Sequence, residues 1–174
     1  NLPEFVNIAP GALEKIDAPA TEFYRVFNAA IELMKASRFD AAIVQWRAAL
    51  EMNPDDAKAH FNLGYSMFER GDLQGAITEY RKASELDPED GVVYANLALA
   101  LAQLGKFDEA VVNYETSLAI NPGNAMAEAD LGVALFQTGN TGEALAHLKK
   151  SVAIDAENAE TRSKLGSIAA KAGR

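Results

Sequence analysis

The 174-residue sequence has no cysteine, a single tryptophan and only two histidines. Without cysteine there is no disulfide framework, thiol nucleophile, iron–sulfur cluster or thiolate-held zinc. His60 and His147 stand 87 residues apart, which leaves little room for histidine-based catalysis or metal binding. Long hydrophobic runs are also missing: no stretch approaches the roughly 18 apolar residues of a membrane-spanning helix. Basic residues are scarce, 16 against 25 acidic, giving a net charge of −9 and an isoelectric point near 4.7. That balance disfavours nucleic acid and anionic membranes as partners. Glycine-rich phosphate loops and nucleophile elbows are absent. Together these absences imply a protein that is not an enzyme, holds no cofactor or metal, and does not insert into membranes. It is expected to be soluble, and cytoplasmic rather than periplasmic.

What is present is ample apolar content, 49% against 24% charged, enough for a substantial core. The chain opens on Asn1, as expected of a processed protein or an excised segment. Residues 1–19, with prolines at 3, 10 and 19, read as a lead or linker holding one short helical turn around Ala12–Ile16. They lack the basic start and apolar run of a signal peptide.

Beyond residue 19 the sequence repeats itself. EMNPDDAKAHFNLG, ELDPEDGVVYANLA and AINPGNAMAEADLG begin at 51, 85 and 119. Pro54, Pro88 and Pro122 keep the same spacing of 34, as do Trp46, Tyr80, Tyr114 and Leu148, and Ala42, Ala76, Ala110 and Ala144. The units are 20–53, 54–87, 88–121 and 122–155, with a partial unit at 156–174. Each reads as two helices. In the second unit, one runs from Asn53-Pro54-Asp55, with proline at its first turn, to Gly71. The next carries Leu73, Ala76, Ile77, Tyr80, Ala83 and Leu86 at three- and four-residue steps, one face of a helix. One small residue per first helix (Ala30, Gly64, Ala98, Gly132, Gly166) and two per second helix let helices approach closely. A lone hairpin cannot bury both its apolar faces, so the hairpins must stack.

This pattern resembles the tetratricopeptide repeat. The second unit carries it as His60, Leu63, Gly64, Ala76, Tyr80, Ala83 and Pro88, and the third as Tyr94, Leu97, Ala98, Ala110, Tyr114, Ser117 and Pro122. The first unit departs with Ala29-Ala30 and with Ser37 where later units have glycine; the fourth has Thr141 and ends in Ala156. The resemblance implies an all-α, right-handed superhelical solenoid of helical hairpins: one domain, 20–174, of four units plus a capping helix at 156–174.

In that family the first helix of each hairpin lines a concave groove that receives peptide segments of other proteins. The resemblance therefore assigns a partner-binding groove to Phe27, Asn28 and Ile31; to Phe61, Asn62, Tyr65 and Phe68; to Ala95, Asn96 and Leu99; and to Ala129, Asp130, Val133 and Phe136. Met34 and Ala102 extend it, and Tyr24, Val92 and Met126 flank its entrance. These side chains are expected to expose a contiguous apolar strip. Asn28, Asn62, Asn96, Asp130 and Lys164 form a row at 34-residue spacing, similar to the asparagine ladder of O-linked N-acetylglucosamine transferases. A carboxamide can pair with both N–H and C=O of an extended peptide; it can equally serve packing or solubility. A carboxylate clamp is not expected, because its basic positions are held by Phe27, Ile31, Ala95 and Leu99. His60 is expected to be a packing residue, His147 to be at the surface and Trp46 to be core. The acids Asp55-Asp56, Glu89-Asp90 and Asp108-Glu109 are expected to complement helix dipoles rather than hold metal.

Residues 54–87 carry a net −3, residues 88–121 a net −4 and residues 156–174 a net +2. The complementary partner is a peptide or helical segment of another protein with basic flanks. The alternative is a self-associating scaffold, a homo-oligomer, in which Leu2–Ile8 could also fill its own or a neighbour's groove.

Overall fold

The computed structural model describes residues 18–173, with side chains from Thr21 onward. The turn expected at Ala12–Ile16 and the Leu2–Ile8 segment lie outside the described residues. Among these, nine α-helices and no strands are found. The chain divides into two compact units between Pro88 and Glu89, at the boundary of the second and third repeats. The first unit holds α1 (Ala18–Lys35), α2 (Phe39–Met52), α3 (Ala57–Glu69) and α4 (Leu73–Leu86). The second holds α5 (Gly91–Gln103), α6 (Phe107–Ile120), α7 (Ala125–Gln137), α8 (Thr141–Ile154) and α9 (Ala159–Ala172). Within each unit every helix packs on the next, and in the second unit α7 also touches α5 and α9.

Helix starts are set by side chains that accept hydrogen bonds from otherwise unpaired backbone N–H groups. Asp56 accepts from Ala59 N at 2.8 Å, Asp90 from Val92 N at 2.9 Å, Asn124 from Ala127 N at 3.1 Å and Asn158 from Thr161 N at 3.0 Å. These caps keep the 34-residue spacing. The prolines at 54, 88 and 122 stand two residues before their caps, in the turn rather than in the first helical turn. The capping side chain takes the role that the sequence pattern suggested for proline.

The first helix of each hairpin ends on a left-handed residue. Gly71, Gly105 and Gly139 have φ of 82°, 75° and 90°. Ser37 takes the same place at φ 54°, where a β-carbon is strained.

The core follows the ladders. Trp46, Tyr80, Tyr114 and Leu148 are fully or almost fully buried, and so are Ala42, Ala76, Ala110 and Ala144. Trp46 Nε1 donates to Met34 Sδ at 3.1 Å, which satisfies its only polar group inside the hairpin. A third ladder, Ala49, Ala83, Ser117 and Ser151, is also buried, and where serine replaces alanine in it the hydroxyl gains a role. Ser117 Oγ donates to Gly91 O and Ser151 Oγ to Ala125 O, each at 2.7 Å, tying the end of the second helix to the start of the first.

The small residue of the first helix sits directly under the large residue of the second. A β-carbon on Gly64 would lie 2.8 Å from Tyr80 Cδ1, and one on Gly132 would lie 2.8 Å from Leu148 Cγ and 2.9 Å from Ala144 O. Gly166 occupies the same register in α9 but has nothing within 4 Å. Gly132→Ala is therefore expected to destabilise by about 1–3 kcal/mol, because backbone and core must move apart. Gly166→Ala, a helix-favouring change with open space around it, is expected to stabilise by about 0.5–1 kcal/mol. Urea midpoints of the two variants would test this; equal effects at both sites would refute the cradle.

Candidate functional site

The inner-face positions expected from the sequence lie on α1, α3, α5 and α7, and the structure gives them unequal exposure. In the first unit Phe27, Ile31, Met34 and Phe61 are buried rather than part of an exposed strip. Their rings and chains face the second helices: Phe27 meets Trp46 edge-on at 4.8 Å between centroids, and Phe61 lies 5.6 Å from Tyr80. Tyr24 is half-buried against Phe23, 5.3 Å away. Tyr65 and Phe68 are half-buried and so keep an accessible edge. Phe39 of α2 packs edge-on to Tyr65 at 6.3 Å.

In the second unit Ala129 is buried with Leu148 and Ile168, and Phe136 packs against that cluster. Ala95, Asn96, Leu99, Ala102, Asp130 and Val133 are half-buried, while Val92 and Met126 are exposed at the starts of α5 and α7. Lys171 of α9 places its ammonium 5.6 Å from the Phe136 ring centroid, a cation–π contact.

The polar row does not behave as one ladder. Asn28 and Asn62 bury Oδ1 atoms that have no hydrogen-bond partner among the described residues. Asn96 instead turns its Nδ2 onto Val92 O of its own helix at 2.9 Å. Asp130 Oδ1 accepts from Lys164 at 3.2 Å, and Lys164 also pairs with Glu160 at 2.9 Å. Burial pushes the Asp130 carboxyl above its usual range, with Lys164 opposing. Burial pulls Lys164 down, but its bonds to Glu160 and Asp130 outweigh that and the net shift is upward. Two further buried groups lack partners, the hydroxyls of Tyr80 and Tyr114; burial raises both far above the usual phenol range. Tyr65 is also raised, by burial and then by the nearby Glu69 carboxylate.

Both histidines have partners. His60 Nδ1 lies 2.7 Å from Glu79 Oε2 and its Nε2 lies 2.9 Å from Pro54 O, so it joins α3 to α4 rather than merely packing. His147 is half-buried, not a free surface residue: its Nδ1 lies 2.7 Å from Oε2 of Glu128, which is 0% exposed and also paired with Lys150. Residues 128 and 147 are 60 and 79 advanced by two repeats, so the fourth hairpin carries the pair of the second with its ends exchanged. That transposition was visible at 34-residue register and was missed because each histidine was read singly. A cleft of about 600 Å³ beside His60 is lined by Asp55, Thr78, Glu79, Arg81, Lys82 and Glu85, a mixture of charges that selects no one ligand. No cluster of three or more potential metal ligands occurs among the described residues.

Family models described as tetratricopeptide repeat match residues 27–91, 79–112 and 101–168, which together run from 27 to 168. No curated protein matches the sequence significantly. Among solved structures, MamA 41-end from Desulfovibrio magneticus RS-1 is similar at a TM-score of 0.83 and 18% identity, over 87% of this chain and 85% of that one. YrrB, described as a TPR protein with an unusual peptide-binding site, is similar at 0.77 and 20% identity, over 90% and 84%. The first TPR of Spaghetti (RPAP3), bound to the HSP90 peptide SRMEEVD, is similar at 0.66 and 25% identity, over 68% and 94%.

Two consequences can be measured. His60→Glu and Glu79→His should each destabilise by about 1–3 kcal/mol, through like charges or a lost partner. The double variant, which copies the arrangement of the fourth hairpin, should return to within about 1 kcal/mol of the parent. Purely additive losses would contradict the exchangeable pair. The second consequence concerns Asp130. Its folded pKa is raised, so the folded state holds the proton more tightly than the unfolded chain. The associated stability is present below the unfolded value and fades as pH rises through the folded one. Asp130→Asn should thus gain in melting temperature relative to the parent as pH rises above about 4. A difference that stays flat with pH would count against the desolvated carboxylate.

Proposed function

Because this chain belongs to the tetratricopeptide repeat family, we propose that it is a non-catalytic interaction module that holds a peptide or helical segment of another protein on the first helices of its hairpins. The observation that carries this reading is in the first unit, where the buried carbonyls of Asn28 and Asn62 have no donor. A buried acceptor left unpaired lowers stability by about 1–3 kcal/mol. Such groups are uncommon in native proteins and call for an explanation. An incoming backbone N–H would supply the missing donor once the amide turns toward it, and the half-buried Tyr65 and Phe68 would offer apolar contact beside it. The second unit offers Leu99, Val133 and Phe136 for apolar contact, with Asn96 and Asp130 already paired within the chain. The similarity to YrrB and to a TPR described with a bound peptide supports a peptide ligand. The ligand chemistry here is not that of a terminal carboxylate, since Phe27, Ile31, Ala95 and Leu99 supply no charge.

Panning a random-peptide library on the immobilised chain tests the reading. Tyr65→Ala with Leu99→Ala is expected to weaken capture about tenfold or more while the helical circular-dichroism spectrum survives. Asn62→Leu should also lose binders, yet keep or raise the unfolding midpoint, because it deletes an unpaired acceptor. Undiminished capture by folded variants would dismiss the groove.

A further inference from the structure

The second unit exposes a set of large apolar side chains that its core does not use. Val92 and Met126 are the second residues of α5 and α7; Ile120 and Ile154 are the last residues of α6 and α8. All four are between 40% and 60% exposed. The hairpins are antiparallel, so the end of each second helix returns to the start of its first. The serine bonds from Ser117 to Gly91 and from Ser151 to Ala125 fix that return in both hairpins. A β-carbon on Gly91 would lie only 3.3 Å from Ile120 Cβ, so Ile120 stands against the start of α5, the turn that also carries Val92. The same register brings the end of α8, with Ile154, to the start of α7, with Met126, and the short turn from Asn121 to Asn124 joins Ile120 to that start. The four therefore line one edge of the unit, the edge of the open hairpin ends. Hairpin α3/α4 has no such edge: its equivalent positions hold the exposed Lys58 and the half-buried Leu86.

Acidic side chains outnumber basic ones around this edge. Glu89 and Asp90 precede Val92, Asp155 and Glu157 follow Ile154, and Glu160 in the first turn of α9 is paired with Lys164. Across residues 89–92, 120–126 and 154–162 the only basic side chain is Arg162, and its guanidinium is turned onto Ala156 O. An apolar row with an acidic border complements an apolar segment that carries cations, and it repels an anionic bilayer.

We propose that this edge, which meets the first-helix faces only at Val92 and Met126, is a second docking surface for an amphipathic segment of another protein with lysine or arginine beside its apolar side. Ile120 and Ile154 belong to second helices and to none of the groove positions, so substitutions there tell the two surfaces apart. The edge buries its apolar row on binding, and the acidic border orients the partner and makes the association salt-sensitive.

The test uses the full chain and two labelled helical peptides of the same pattern, one of leucine and lysine, the other of leucine and glutamate, read by fluorescence anisotropy. The leucine–lysine peptide should bind and the leucine–glutamate peptide should not. Ile120→Ser with Met126→Ser should weaken binding about tenfold or more, whereas Tyr65→Ala leaves it unchanged. Should the double variant unfold, Ile154→Lys alone, at an exposed position on the same edge and outside the groove, is expected to weaken the basic peptide comparably. Equal affinity of the folded edge variants and the parent would overturn the proposal. So would light scattering that shows a dimer lost in the edge variant, or edge-dependent sedimentation with phosphatidylserine vesicles, since either would assign the edge to a different occupant.

Discussion

The structure rests on one close approach, that of the two helices of a hairpin at the small residue of the first. Gly64 lies beneath Tyr80 and Gly132 beneath Leu148 at distances that admit no β-carbon. Once the axes come that near, a ring or a leucine can reach past the first helix and fill the interior. The remaining ladders follow from it. Alanine or serine one turn before and one turn after the large residue keeps the second helix equally close along its length, and all of these positions are buried. Serine is accepted there because its hydroxyl lies opposite a carbonyl oxygen at the start of the first helix, which has a second lone pair to receive it. A period of 34 residues is the length of two such helices with their two turns, which is why every feature recurs at that interval.

The fold was legible because its determinants are residue types at fixed intervals: glycine at the approach, aromatic or leucine above it, an acid or asparagine at the cap, glycine at the left-handed turn. Ser37 shows that the geometry outlasts the residue, since it adopts the left-handed turn without being glycine. Burial on the inner face was less legible. Phe27, Phe61 and Phe68 are chemically identical, yet two are buried under the aromatic of the following helix and one keeps an accessible edge. What separates them is which ring lies across the hairpin, a tertiary fact that local spacing does not carry. The histidine positions differ again. His147 taken alone is expected at the surface, whereas its partner across the hairpin is the buried Glu128, so its meaning lies in the pair.

That pair also bears on how the repeats tolerate polarity. His60 with Glu79 and Glu128 with His147 hold the same two places across their hairpins with the ends exchanged. A hydrogen-bonded histidine–carboxylate pair depends on the relation between its members rather than on which helix supplies which. The two side chains can therefore exchange helices if both change together, as a buried carboxylate alone could not. Glu128 reaches complete burial only because His147 and Lys150 both address its carboxylate.

The row from Asn28 to Lys164 applies the same rule to function. Its later members are closed by the chain itself: Asn96 by Val92 O, Asp130 by Lys164, and the neighbouring Phe136 ring by Lys171. Its first two members are left open, with buried carbonyls that nothing among the described residues addresses. An unpaired acceptor repeated at one repeat interval is not accounted for by stability, since leucine or alanine at those positions would fold at least as well. On the proposed reading the missing donor is a backbone N–H of the bound segment, and Asn28 and Asn62 are where it would be met.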